Sequence, residues 1–161
     1  SSPNSVFWLG KNNIAKKNFW FELSKIVNKK YDLDLSGANK KISNLMNYTL
    51  GKNKRFKANI KNFNLITLKS KKLSFDNFEN INFGTFLEIN LHDINHLRKY
   101  TSEKLQTVTY YGTDFKSIKK FIINNKIKGI DRIVPIGRAF DLTPEWDGVD
   151  IISTLSRTIG V

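Results

Sequence analysis

The order of apolar and polar positions predicts strands alternating with helices. Val6-Phe7-Trp8-Leu9 is a short apolar run stopped by Gly10 and reads as a buried strand. Asn12 or Asn13 can cap the helix that follows, in which Ala15, Phe19, Leu23, Ile26 and Val27 recur at helical spacing with lysines opposite. Ser36 can cap a second helix, striped by Ala38, Ile42, Leu45 and Met46 and stopped by Gly51. From Asn59 to Lys69 the pattern alternates, with Phe63, Leu65 and Thr67 on one side, which predicts a single strand. Residues 70–82 show no period and read as a loop. Thr85, Leu87, Ile89 and Leu91 predict another strand, and Asp93 caps a short helix with Ile94 and Leu97. Leu105–Tyr111 is rich in Thr, Val and Tyr, which suit a pleated surface. Gly112 turns the chain, and Asp114 caps a helix bearing Phe115, Ile118 and Ile122. Arg132–Ile136 is a strand, and Asp147 or Asp150 caps a last helix with Ile151, Ile152, Leu155 and Ile159.

This alternation indicates an α/β fold, a largely parallel sheet with crossover helices. Pro135 has no N–H to give a ladder, so it places its strand at an edge or marks the strand's end. No repeat and no Pro/Gly-rich linker interrupts the pattern, and residues 1–161 read as one domain. With 161 residues, 40% of them apolar and 12% aromatic, the chain can bury a core and is not a disordered tail. No apolar run approaches the ~18 residues of a transmembrane helix. No basic-then-apolar leader is present, so the expected location is cytoplasmic. The chain opens Ser1-Ser2-Pro3-Asn4 without a methionine, as processing or origin within a longer protein would leave it.

Charge divides the chain unevenly. Residues 1–72 hold 16 Lys and Arg against 3 Asp and Glu, while residues 73–161 hold 11 of each, so the net charge of +13 lies in the first part. Such a field attracts polyanions, which gives one reading, a basic module that binds nucleic acid or an anionic surface. Phe7, Trp8, Phe19, Trp20 and Phe21 among the lysines would supply stacking faces. The other reading is a solvated lysine surface over a core stripe. Only Arg55 in that part could read guanine edges in the usual way.

Candidate chemistry is sparse. The absence of cysteine excludes disulfides, thiolate zinc sites and a cysteine nucleophile within these residues. No Gly-x-Gly-x-x-Gly, Walker loop or Gly-x-Ser-x-Gly elbow occurs. His92 and His96 have a spacing that can share a metal, but Asp93 caps the helix between them and no third ligand follows, so no metal is assigned. The densest segment is Gly129-Ile130-Asp131-Arg132-Ile133-Val134-Pro135-Ile136-Gly137-Arg138-Ala139-Phe140-Asp141, then Trp146-Asp147-Gly148-Val149-Asp150, then Leu155-Ser156-Arg157. Arginine forks match carboxylates, so Arg132 and Arg138 can pair with Asp131, Asp141 or Asp147. Gly137 and Gly148 suit a rigid corner that needs unusual backbone angles. The segment reads either as that corner or as a substrate contact.

This segment resembles the C-terminal end of acyl-CoA reductases of the LuxC type, which are related to aldehyde dehydrogenases. Looser likeness continues through Gly84-Thr85 and Leu105-Gln106-Thr107-Val108, and Ser1-Ser2-Pro3 is similar to the residues that follow the family's nucleophilic cysteine. The resemblance implies the C-terminal part of an aldehyde-dehydrogenase-like catalytic domain, beginning just after a cysteine that this chain lacks. It implies reduction of a long-chain fatty acyl-CoA, or an acyl-protein donor, to a fatty aldehyde with NADPH through a cysteine acyl-enzyme. The isolated piece would then be inactive. Ser1 and Ser2 would flank the nucleophile, with backbone N–H groups toward the oxyanion. Glu79, Phe83 and Gly84 are similar, with a longer spacing, to a Glu-x-Phe-Gly element that holds the nicotinamide ribose. Lys40 and Lys41 are candidates to steer phosphates of CoA or NADPH. The resemblance further implies a homo-oligomer when intact and, in luminescent members, an acyl-protein synthetase and an acyl-transferase as partners.

Overall fold

The computed structural model describes residues 4–50, 56–69, 81–103, 105–146, 148–157 and 159. The chain divides into two compact units, Ser1–Asp93 and Ile94–Val161. Both mix helices and strands.

In the first unit, β1 (Ser5–Leu9) leads into α1 (Asn13–Lys30) and α2 (Leu35–Thr49), followed by β2 (Lys57–Asn62), β3 (Leu65–Lys69) and β4 (Thr85–Leu91). The strands form one sheet in the order β1-β4-β3-β2. β4 runs parallel to both β1 and β3, and only the β2–β3 pair is antiparallel. Leu65, Leu68, Leu87, Ile89 and Leu91 are buried in it, the near-continuous apolar run expected of strands covered on both faces. β1 lies at the edge, where its residues stay half exposed.

Local signals set these elements, with some departures from the pattern reading. Asn12 caps α1 by accepting from the Ala15 N–H at 2.9 Å. The buried face of α1 is turned from the expected stripe: Trp20 is 5% exposed, while Ile26 points outward. Trp20 wins because β1 and β4 present Trp8 and Phe86 to it, at ring separations of 6.2 and 5.8 Å. α2 is capped by Asp34, not Ser36, because the carboxylate accepts from the Gly37 N–H at 2.7 Å and favours the positive helix end. Its expected stripe is also displaced, since Ile42 and Met46 are exposed and Gly37 and Lys41 are buried. The single strand expected from Asn59 to Lys69 is a hairpin. The Asn62 side chain accepts from the Leu65 N–H at 2.8 Å, and this Asx turn needs no glycine. Most of the expected loop over residues 70–82 lies outside the described residues.

In the second unit, a 3-10 helix (Ile94–Tyr100) precedes β5 (Gln106–Tyr110), α3 (Phe115–Asn124) and β6 (Ile130–Pro135). β5 and β6 pair in parallel with α3 as the crossover between them. Ile118 and Phe121 on one face of α3 are buried with Leu97 and Ile130, while its lysines face outward. Pro135 ends β6, as its missing donor requires. A two-residue hairpin, β7 (Glu145–Trp146) with β8 (Val149–Asp150), leads to α4 (Ile151–Leu155). Asp150 caps α4 through the Ser153 N–H at 3.0 Å, and the helix stops before Ile159. No helix among the described residues is long and apolar enough to cross a membrane.

Candidate functional site

Two constellations stand out, one in each unit. The first surrounds the turn that feeds β4. Phe83 and Gly84 both sit in the left-handed region, at φ 57° and 70°. For Phe83 this is a strained angle, about 1–2 kcal/mol above the ordinary regions. At Gly84 no side chain fits: a Cβ would lie well inside contact distance of the Asn64 carbonyl oxygen in the β2–β3 turn. The Gly84 carbonyl accepts from the Ile66 N–H at 3.0 Å, and the Asn82 carbonyl accepts from the Thr85 N–H at 3.1 Å.

Lys41 closes this turn from below. It lies on the inner face of α2 and is only 2% exposed. Its Nζ donates to the Phe83 carbonyl oxygen at 2.6 Å and stands 5.5 Å from the centre of the Phe63 ring. No carboxylate pairs with it among the described residues. Burial therefore acts unopposed and lowers its pKa from 10.5 to about 8. A shallow depression beside it is lined by Asn44, Leu45, Tyr48, Ile81, Asn82 and Thr85. The sequence reading placed Lys41 among solvated lysines that steer phosphates, and the structure corrects this. An ammonium with almost no exposure and a carbonyl partner does not reach a phosphate in solvent. The available signal was its place in the i, i+4 series Gly37, Lys41, Leu45.

The turn has limited means of holding a nicotinamide nucleotide. Its Phe83 and Gly84 carbonyls are taken by Lys41 and Ile66, and Glu79 lies outside the described residues. What remains is the half-exposed Phe83 ring. The residues fit contact through that aromatic face, and not through the turn's carbonyl oxygens.

The second constellation gathers the densest sequence segment. Arg132, on β6, is 8% exposed. Its fork donates to two backbone carbonyls, Ala139 at 2.6 Å and Asp141, and its guanidinium lies 4.7 Å from the centre of the Trp146 ring. Arg138 pairs with the Asp141 carboxylate at the surface. Gly137 at φ 86° lets the chain turn back toward Arg132. Gly148 packs against Asp131, whose carboxylate would be 3.2 Å from any Cβ there. Of the expected arginine–aspartate pairs, Arg138–Asp141 is present, while the Arg132 fork binds backbone oxygens rather than the Asp131 or Asp141 carboxylate. Two backbone carbonyl oxygens fit the spread of the guanidinium fork. Asp147, Ser1 and Ser2 lie outside the described residues.

The remaining candidates are dispersed. Trp8, Phe19 and Trp20 pack edge to face on one another, at 5.1 to 6.2 Å, and so serve the core rather than a stacking platform. Phe21 is exposed beneath the Lys25 ammonium at 4.1 Å. His92 precedes the 3-10 helix and His96 lies within it, so they do not share an α-helical face. Glu88 on β4, unremarked in the sequence, is buried and pairs with Lys69 at 3.2 Å.

No family model matches the chain, and neither a curated protein nor a solved structure is significantly similar to it.

Proposed function

We infer that the chain is the C-terminal half of the catalytic region of a LuxC-type acyl-CoA reductase, a scaffold for thioester reduction whose nucleophilic cysteine precedes Ser1. One observation carries the reading. Within the segment that carries the resemblance, Arg132 binds the Ala139 and Asp141 carbonyls and faces Trp146, Arg138 pairs with Asp141, and Gly148 packs against Asp131, all in the β6 corner. The parallel β5-α3-β6 unit and the parallel β1-β4-β3 strands suit an aldehyde-dehydrogenase-like domain.

In this reading the cysteine thiolate attacks the acyl-CoA carbonyl and CoA leaves as its thiolate. NADPH, when bound, supplies the hydride that turns the enzyme-bound acyl carbon into the aldehyde carbon. The cysteine thiolate is the second leaving group. Ser1 and Ser2 backbone N–H groups stabilise the oxyanion in both steps. Phe83 would hold the cofactor through its half-exposed ring, and the Arg132 corner would keep the β6 end rigid without touching substrate.

The test uses the intact polypeptide. Incubation with a long-chain acyl-CoA and no NADPH should add one acyl mass to the peptide containing that cysteine. Added NADPH should release fatty aldehyde. Aldehyde formation that persists after the cysteine is changed to alanine would sink the mechanism.

A further inference from the structure

Lys41 is the one buried ammonium among the described residues, and its position has a purpose that charge alone does not give. The Phe83–Gly84 turn is held in an unfavourable left-handed conformation at a residue with a bulky side chain. Such a conformation persists only if its surroundings over-determine it. Among the described residues, contacts from outside the turn that do so are the Ile66 N–H on the Gly84 carbonyl, the close approach of Asn64 to Gly84, and the Lys41 ammonium on the Phe83 carbonyl. The first two come from the β2–β3 hairpin. The third comes from α2, 42 residues earlier in the chain, and is the only one that grips Phe83 itself. The carbonyl direction of Phe83 fixes its ψ and the peptide plane leading into Gly84, and so holds the backbone from which its half-exposed ring projects. A charged donor makes the stronger kind of hydrogen bond, and among the described residues that one oxygen is the hydrogen-bond partner of the ammonium. Keeping a charge dry at that point is otherwise unfavourable.

We propose that Lys41 is a positioning residue: its ammonium clamps the Phe83 carbonyl and so aims the Phe83 ring toward the nicotinamide nucleotide. The clamp itself stands on the geometry of α2 and the turn. Its service to the cofactor rests on the reductase reading. Lys41 does not touch the cofactor and is not a catalytic residue.

The chain has no cysteine, which permits a matched chemical test. Lys41→Cys is alkylated in urea with bromoethylamine, which rebuilds a lysine-like ammonium, or with bromopropane, which gives a neutral side chain of the same length. Both are refolded, and amide hydrogen exchange is followed alongside Lys41→Met. The neutral forms should exchange the Ile66 and Thr85 amides at least about tenfold faster, with the Leu87 amide, bonded to Asn4, unchanged. The ammonium form should restore protection. Unchanged protection at Ile66 and Thr85 overturns the clamp. So does uniform loss of protection, or folding of the ammonium form alone, because Lys41 would then stabilise the whole unit rather than aim one turn. In the intact protein, Lys41→Met should raise the KM for NADPH about tenfold and leave the rate of acyl-enzyme formation unchanged. An unchanged KM overturns the link to the cofactor. Absence of acyl-enzyme in the unsubstituted protein overturns the reductase reading and leaves the exchange result standing.

Discussion

The buried ammonium of Lys41 makes the stability of the first unit depend on pH in an unusual direction. An unfolded chain keeps the proton on this lysine up to about pH 10.5, while the folded chain releases it near pH 8. Below pH 8 both states carry the charge, and the folded state bears its full desolvation cost. Between pH 8 and 10.5 the unfolded state binds more proton, so raising the pH favours folding. Above 10.5 both are neutral and the contribution is level. The difference in pKa corresponds to roughly 3 kcal/mol gained across that window. Most proteins lose stability there as their lysines and tyrosines discharge.

Urea titrations from pH 7 to 10.5 measure the effect, followed by tryptophan fluorescence in a Trp146→Phe background so that Trp8 and Trp20 of the first unit report. Tyr31 works in the opposite direction. Burial, with the Asp34 charge beside it, raises its pKa, so its contribution falls away as the pH rises through the ordinary tyrosine range. That loss is common to every variant and cancels in a difference. Lys41→Met removes the titrating group but leaves the Phe83 carbonyl without its donor, two effects of similar size and opposite sign at neutral pH. The change in slope is therefore diagnostic and the value at one pH is not. The stability of the parent minus that of Lys41→Met should rise by about 3 kcal/mol between pH 8 and 10.5. Parallel curves would refute the reasoning, because they would mean that the ammonium is solvated in the folded chain.

Arg132→Met should destabilise the second unit by about 2–4 kcal/mol, from two carbonyl bonds and the Trp146 contact, in urea titrations read by Trp146 fluorescence. Arg132→Lys should recover less than half, since one ammonium does not span both oxygens. Arg138→Ala, at an exposed ion pair, should cost about 0–1 kcal/mol, and a loss equal to that of Arg132→Met would contradict the corner. Gly84→Ala should cost about 2–4 kcal/mol because its Cβ meets the Asn64 carbonyl, whereas Gly112→Ala, with the same sign of φ and open space, should cost about 1–2. Thermal denaturation that ranks the two equally would count against the close approach. Asp34→Ala should lose about 1 kcal/mol and Ser36→Ala a few tenths, measured in the same titrations, which separates the observed cap from the one expected from sequence.

How far the pattern could be read depended on what each element buries. β4 was legible because Thr85, Leu87, Ile89 and Leu91 are buried as its alternation expects, and α3 and β6 because Asp114 and Pro135 mark their limits, although Phe115 and Ile136 are exposed and Phe121, outside the expected stripe, is buried. The β2–β3 hairpin was not, because its turn is made by Asn62 and Asn64 within a run that keeps the alternating period on either side. The faces of α1 and α2 were misjudged for one reason. Hydrophobic periodicity ranks residues by side chain, while the sheet selects them by what it presents. Trp20 is drawn in by Trp8 and Phe86, and Ile26, which has no such partner, is left outside.

The two candidate sites differ in the same way. Arg132 announces itself because arginine, glycine, aspartate and tryptophan cluster within a few residues of one another, and the contacts are local, seven and nine residues along the chain. Among the described residues Lys41 makes its polar contact across 42 residues, to a backbone oxygen that is the same atom in any residue. A sequence pattern carries no mark of a carbonyl acceptor, so a buried lysine that uses one looks like any other lysine in a basic helix. The place to look for such groups is an apolar i, i+4 series broken by a single cation with no acid at helical distance. In α2 that series is Gly37, Lys41, Leu45, and Asp34, the acid nearest to the series, is already spent on the helix cap. A lysine left without a carboxylate in a closing core has only backbone to bind, and the backbone that needs a strong donor is the strained turn.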